Sequence, residues 1–278
     1  MIIFSISKIK NMEVKEITEL EALEIIFDNH YSKIMPRLSK HFIGGYLDDK
    51  LVAVMTLGWG VQPLNTIKKL FPSLISKDYY EIGKMCLLEE LPKNSESIFI
   101  SKVIKFVKEN YEWIKVIFTW ADGILGKPGY VYQASNFMYG GYIMTDLYIS
   151  ENGEKVHPRT AQGVMNERDG YNIGRRPDKD FLIEHGWSHY RGKQFRYVYF
   201  CNKRYRRRLL KESTVDWNQP FPKDKDIFWK KKNLQDGTWY EADNIAYNEE
   251  ASIKYNKTAL SNKKRTDKVK NARKFFEF

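Results

Sequence analysis

Tyr80-Glu81-Ile82-Gly83-Lys84-Met85-Cys86-Leu87-Leu88, then Leu91-Pro92-Lys93-Asn94-Ser95-Glu96-Ser97, then Val116-Ile117-Phe118-Thr119-Trp120-Ala121-Asp122-Gly123 is the stretch whose reading decides the fold. The first segment fits a strand. The second is a helix start: a proline, Asn or Ser to cap the first turn, and an acid inside it. The helix that follows repeats Ile100, Val103, Ile104, Val107 and Tyr111 at i, i+3, i+4, i+7 and i+11, with Lys102, Lys105 and Lys108 off that stripe, so it should lie across a sheet. The third segment is a short apolar run that ends on Asp122, a polar residue at the carboxyl end of a buried strand. Open α/β sheets keep their ligands at that end.

Outward from this centre, Glu13–Phe27 carries Leu20, Leu23, Ile26 and Phe27 at helical spacing and predicts a short helix that delivers His30 and Tyr31 to a loop. Phe42–Leu47, the turn Asp48-Asp49-Lys50 and Leu51–Leu57 read as an antiparallel hairpin, closed by Gly58-Trp59-Gly60. Tyr130–Phe137 fits a short helix, and Tyr142–Ile149 and Arg196–Cys201 fit strands. Beyond Asn202 the pattern changes to basic clusters between aromatics and polar linkers, and only partial order is expected there.

With 278 residues, 42% hydrophobic and 29% charged, the chain can bury a sizeable core. The expected organisation is one domain over residues 1–205 and a basic extension over 206–278. No apolar run approaches the roughly 18 to 20 residues of a spanning helix, and no cleavage pattern follows Met1–Lys10, so neither a transmembrane nor a secreted protein but a cytoplasmic one is expected. Cys86 and Cys201 are too few for a disulfide framework and read as buried structural thiols. The net charge of +11 is unevenly spread: residues 1–158 hold 18 basic and 19 acidic side chains, residues 159–278 hold 28 and 16. Such a field attracts polyanions, and the C-terminal part reads as a nucleic-acid contact surface.

Four constellations can carry chemistry. The helix start at 92–97 offers unpaired N–H groups and a dipole to a phosphate, with Lys84 and Lys93 adding charge and Asn94, Ser95 and Ser97 adding polar groups; an ordinary helix cap would look the same. Asp122 with Gly126–Phe137 suits a polar pocket floored by aromatics, in which Asp122 accepts a proton or binds a metal and Tyr132 donates one; a surface loop packed on the core is the bland alternative. His30-Tyr31, with Lys33 and Arg37 after it, is a third, although no paired His or Cys spacing marks a metal site. The fourth is Tyr190–Tyr197 with the cluster Arg204, Arg206, Arg207 and Arg208, where phosphate-binding charge alternates with rings that stack on bases.

On His30-Tyr31 with Arg37, on 81–97, and on Trp120-Ala121-Asp122 through Gly129–Gly141, the chain resembles the Mom family of phage DNA-modification proteins, over roughly residues 25 to 200. That family is similar to the GNAT acyltransferases, so the resemblance implies a mixed α/β fold with a mostly antiparallel central sheet, flanked by helices and splayed open between its fourth and fifth strands to admit acetyl-CoA. The strand order read above is the same. The resemblance further implies modification of adenine N6 in double-stranded DNA to an acetamide-type (carbamoylmethyl) adduct that protects DNA from host restriction, with acetyl-CoA as carbon source and an iron ion. It places Lys84 and Ser97 near the cofactor, with Lys84 where an arginine is expected, so that the charge is kept and the planar fork lost. His30, Tyr31, Asp122 and Tyr132 fall on the family's polar pocket: Asp122 and Tyr132 nearest the chemistry, Tyr31 positioning the base, and His30 with Asp122 as metal ligands. Arg37 and the Arg204–Arg208 cluster are assigned to DNA.

The reaction so implied makes physical demands. Adenine N6 is a poor nucleophile, because its lone pair is delocalised into the ring, and it is buried by pairing and stacking. The base must be flipped out at a cost of about a few kcal/mol and clamped between aromatic faces, for which Trp59, Trp120 and Tyr132 are candidates. An acetamide product also needs a bond at the acetyl methyl carbon and a source of amide nitrogen, a step oxidative in character. Two other readings stay open at the level of sequence: a GNAT enzyme acetylating a protein or small amine, and a catalytically silent DNA-binding protein on the same scaffold.

Overall fold

The computed structural model describes residues 6–30, 35, 36, 38–60, 63–156, 158, 161, 164 and 176–248. Ten strands form one mixed, mostly antiparallel sheet in the order β1-β2-β3-β4-β5-β8-β6-β7, with a β9–β10 hairpin hung on β8. Along the chain these strands are β1 (Glu13–Ile17), β2 (Ser39–Leu47), β3 (Lys50–Gly58), β4 (Tyr79–Leu87), β5 (Val116–Ala121), β6 (Met138–Ile149), β7 (Lys155–Val156), β8 (Ser188–Phe200), β9 (Trp229–Lys232) and β10 (Trp239–Ala242). The helices are α1 (Ile6–Ile9), α2 (Glu19–Asn29), α3 (Pro63–Leu70), α4 (Ser95–Asn110), α5 (Tyr130–Ala134), α6 (Lys179–Glu184) and α7 (Lys203–Glu212).

The hairpin turn is where the sequence puts it. Asp48 and Asp49 both take left-handed backbone angles (φ 47° and 61°), a turn whose twist matches that of the flanking strands. Helix α4 buries Phe99, Ile100, Val103, Ile104 and Val107 against Val52, Met55, Ile82 and Ile117 of the sheet, which is the stripe the spacing predicts plus one ring. On the other face α2 covers Val54 and Cys86, while α3 and α7 cover Val116, Phe118, Val198 and Phe200.

One expectation needs correction. Glu13–Phe27 is not one helix: residues 13–17 pair antiparallel with 42–46, and α2 begins only after Thr18. Thr18 sets that boundary through a capping box, its hydroxyl accepting from the Glu21 N–H (3.2 Å) and its own N–H donating to the Glu21 carboxylate (2.7 Å). Beyond Asn202 the described residues, which reach 248, are seated on the sheet. Leu209 and Trp217 are buried among the charges, Trp217 stacks on Phe71 (5.4 Å between centroids, 13° between planes), and β9 pairs with β8 at 190–192. A few apolar residues spaced through a basic segment suffice to seat it. The remaining basic residues of 249–278 lie outside the described residues.

Strands β4 and β5 run parallel, and they pair only over Tyr79–Val116, Tyr80–Ile117 and Glu81–Phe118. Beyond Glu81 and Phe118 they part, leaving a fork whose tines are residues 82–87 and 119–121. On the first tine the register with β3 slips, Leu57 facing Ile82 but Thr56 facing Lys84, so Gly83 is an extra residue in β4. A Cβ at Gly83 would stand 2.8 Å from Pro36 Cγ and 3.0 Å from Thr56 Oγ1, which explains the glycine.

Candidate active site

The second tine ends on Asp122. Its Oδ1 accepts a hydrogen bond from Gln194 Nε2 at 3.0 Å, and Gln194 sits on β8 one residue before the Phe195–Ala121 pair. Tyr132, on α5, lies on the same sheet face as Thr119 and packs on Phe137 and Tyr197, each 5.5 Å away between centroids. Burial pushes the Tyr132 phenol above its ordinary range; the Thr119 side chain opposes this and the charge of Asp122 adds to it. The phenol therefore stays protonated beside a carboxylate.

The loop that carries Tyr132 is pinned from beneath. Tyr197 donates its hydroxyl hydrogen to Pro128 O and accepts from Gln133 Nε2 (3.1 Å), which also donates to Pro222 O (3.0 Å). Gly129 starts α5 at φ 91°, and a Cβ there would stand 2.6 Å from the Tyr197 ring and 2.9 Å from Ala121 Cβ. Only glycine lets this turn approach β5 so closely.

On the first tine Lys84 is buried, and its Nζ lies 3.5 Å from Nδ1 of His30, which caps the C-terminus of α2. Past the end of β4, Asn94 stands at the N-cap of α4 in a left-handed conformation (φ 73°) and makes no side-chain cap. Ser95 and Ser97 donate their hydroxyl hydrogens to Pro92 O (2.5 Å) and Asn94 O (3.0 Å), so those hydrogens are committed to the turn. The backbone at this helix start, with Lys93, is what remains to meet an anion.

The structure thus groups Asp122 with Tyr132, and His30 with Lys84, on the two tines. Tyr31 and Arg37 lie outside the described residues. Trp59 and Trp120 pack on the opposite sheet face from Tyr132, so these three do not form one clamp. Helix α7, with Arg204, Arg206, Arg207 and Arg208, begins beyond Phe200, which pairs with Val116 at the end of β5 remote from Asp122. The implied iron ion does not fit the described residues: among them no three His, Cys, Asp or Glu side chains converge, and the Nδ1 of His30 faces an ammonium group.

Sequence reasoning missed two functional candidates. One is Gln194, seventy-two residues from Asp122. The other is Glu81, the last β4 residue before the fork, whose carboxyl group is packed against Gly60 and pushed up to about 7 by burial. A glutamate inside a strand of otherwise apolar neighbours was the signal available for it.

The profile of the Mom protein family matches residues 11–223. The chain belongs to the Mom protein family. Methylcarbamoylase mom of Escherichia phage Mu is 31% identical to it over 215 residues, 77% of this chain and 85% of that protein. Among solved structures, an N-acetyltransferase from Staphylococcus aureus Mu50 aligns with 68% of this Mom chain and 97% of its own at 12% identity, with a TM-score of 0.35. A Bacillus subtilis acetyltransferase in complex with CoA aligns over 68% and 98% at 11% identity, with a TM-score of 0.33. These superpositions are loose; the fold of the Mom chain is defined by its own strand order and its forked β4 and β5.

Proposed function

We propose that this chain modifies adenine N6 in double-stranded DNA with an acetamide-type (carbamoylmethyl) group, drawing on acetyl-CoA held in the β4–β5 fork, and so protects phage DNA from host restriction. The observation that carries the reading is the Asp122 carboxylate, oriented by Gln194 at the end of one tine and near the half-buried, protonated Tyr132. The family relation to a methylcarbamoylase supports transfer of a group of this composition, since methylcarbamoyl is the isomer of carbamoylmethyl.

In this reading the fork exposes backbone of both strands to a pantetheine arm, and the uncapped start of α4 with Lys93 receives the pyrophosphate. Bound acetyl-CoA supplies an activated two-carbon unit. Joining N6 to the acetyl methyl carbon is a two-electron oxidation, and replacing the CoA thiolate by an amide needs an amine, so a diffusible oxidant and an ammonia-level nitrogen donor complete the reaction. Of the chain's own residues, Asp122 accepts the proton that the exocyclic amine loses and Tyr132 donates one to the departing thiolate. Lys84, held by His30, places positive charge on the β4 side, where an acyl oxygen gathers charge. Tyr31 positions the base.

Mass spectrometry of nucleosides from cells expressing this chain tests the proposal. A heavier deoxyadenosine species, absent from cells with Asp122→Ala, is expected. Unmodified nucleosides from cells holding soluble, folded wild-type protein would sink it.

A further inference from the structure

Strands β6 and β8 continue past the end of β5 as a ribbon, with residues 142–149 of β6 paired to 188–195 of β8, and with β9 on the far side of β8 at 190–192. Over 142–147 β6 pairs with β8 alone among the described strands, and is therefore an edge. Solvated edges are usually protected by charge or proline. This one presents three consecutive large apolar residues: Tyr142, Ile143 and Met144 are 46%, 41% and 38% exposed.

Their placement is specific. Ile143 is the cross-strand partner of Gln194, the residue that holds Asp122, and paired residues share a ribbon face. Tyr142 stacks under the Lys193 ammonium (4.7 Å to the centroid), and its carbonyl accepts from Arg196 (3.2 Å). The ribbon is also stiff at its root. Gly140 lies flat on the buried Trp217, where a Cβ would come within 2.3 Å of the ring, and Gly141 takes φ 79° at a register shift. An exposed apolar residue on a rigid edge, next to the Arg196 guanidinium and on the face of the proton acceptor, suits one partner: a duplex whose phosphates meet Arg196 while its base stack meets Ile143.

We propose that the β6 edge beside Asp122 is a duplex-opening wedge, with Ile143, on the face of Gln194, entering the base stack and filling the space that the extruded adenine leaves. The inference rests on the DNA-adenine reading above. Side-chain insertion of this kind partially unstacks a base step and compensates for the stacking lost.

The test uses the full chain and the variant Ile143→Ser, with Met144→Ser, on the opposite face, as a control expected to behave as wild type; both alter exposed positions, and equal melting temperatures confirm folding. Short duplexes with 2-aminopurine at successive adenine positions report unstacking without requiring turnover. Wild type should brighten the probe, and Ile143→Ser should reduce that response about tenfold while keeping its affinity within about threefold. In modification assays, the variant should lose about tenfold on intact duplex and little on duplex with an abasic site opposite the adenine. Equal probe responses from wild type and Ile143→Ser, or equal losses on both duplexes, would overturn the wedge. So would a wild-type dimer that the variant dissolves, since the edge would then be a self-association surface. If wild type unstacks the probe but no adduct forms on any DNA, the chemical reading fails and the wedge stands.

Discussion

Gln194 donates its side-chain amide hydrogen to Asp122 Oδ1 across 3.0 Å, joining the strand that carries the exposed ribbon to the carboxylate at the end of the fork. A hydrogen bond to a charged group contributes about 1.5 to 3 kcal/mol, and here it fixes the orientation of the Asp122 carboxylate. Gln194→Met keeps the volume and deletes the donor; adduct formation should fall about tenfold with little change in melting temperature. Gln194→Glu, which sets a second carboxylate against the first, should be worse. Rates of adduct formation measured by mass spectrometry decide this, and activity within twofold of wild type for both variants would remove Gln194 from the site.

Glu81 gives the fold a dependence on pH with a definite sign. Its carboxyl group is pushed up to about 7 by burial, from 4.5 in an exposed carboxyl, so between these values the folded chain holds a proton that the unfolded chain has released. Stability is therefore greatest at the acid end of that window and declines as pH rises through 7. Glu81→Gln, neutral at every pH, should raise stability at pH 8 by on the order of 2 kcal/mol and abolish this decline. Thermal melts at pH 5.5 and 8 on both proteins measure it; parallel curves would show that Glu81 titrates as an ordinary surface acid.

The legible parts of this molecule are those fixed by local period. The α4 stripe, the Asp48-Asp49 turn and the strands on either side of the fork follow from spacing alone, and Asp122 is marked by its place at the end of an apolar run. Strand β1 was not legible, because Glu-Val-Lys-Glu-Ile has one pattern for a helix and for a half-exposed strand, and only its pairing with β2 decides. The partners of the site were not legible either. Gln194 reaches Asp122 from seventy-two residues away and Lys84 lies fifty-four residues from His30, so neither pair leaves a spacing signature. The basic cluster at 204–208 is the converse case: conspicuous in sequence, it sits at the far end of β5 from Asp122, whereas Arg196, less conspicuous, flanks the site.

Gly129 tests whether the loop carrying Tyr132 must press on the sheet. An alanine there would have to hold φ near 91° and place its methyl carbon 2.6 Å from the Tyr197 ring. Gly129→Ala should cost about 2 kcal/mol or more, a fall in Tm of roughly 4 to 8 °C. Activity at a temperature where the variant is folded should fall further than stability does, because Tyr132 moves with the turn. A variant with unchanged Tm would mean that the loop relaxes freely and does not position the phenol.

The ribbon that bears Ile143 is held by Asp146, three residues on. This buried carboxylate accepts from His189 Nε2 (3.1 Å), from Arg191 Nε (3.0 Å) and from Arg176, while His189 stacks on Tyr148 at 4.5 Å. Burial, then the charges of Lys232, Arg191 and Arg176, push His189 down to about 3. An unfolded histidine takes up its proton near pH 6.5, so acid favours the unfolded chain: the contribution of neutral His189 is complete above that pH and is lost progressively as pH falls toward 3. Asp146→Ala, which leaves two guanidinium groups facing a buried imidazole, should destabilise by about 3 to 5 kcal/mol. His189→Gln should instead lose the acid sensitivity, with melting temperatures at pH 5 and 7.5 drawn together. If Asp146→Ala melts like wild type while DNA unstacking persists, the network is not what stiffens the ribbon, and the burden of holding Ile143 in place falls on the Gly140–Trp217 contact at its root.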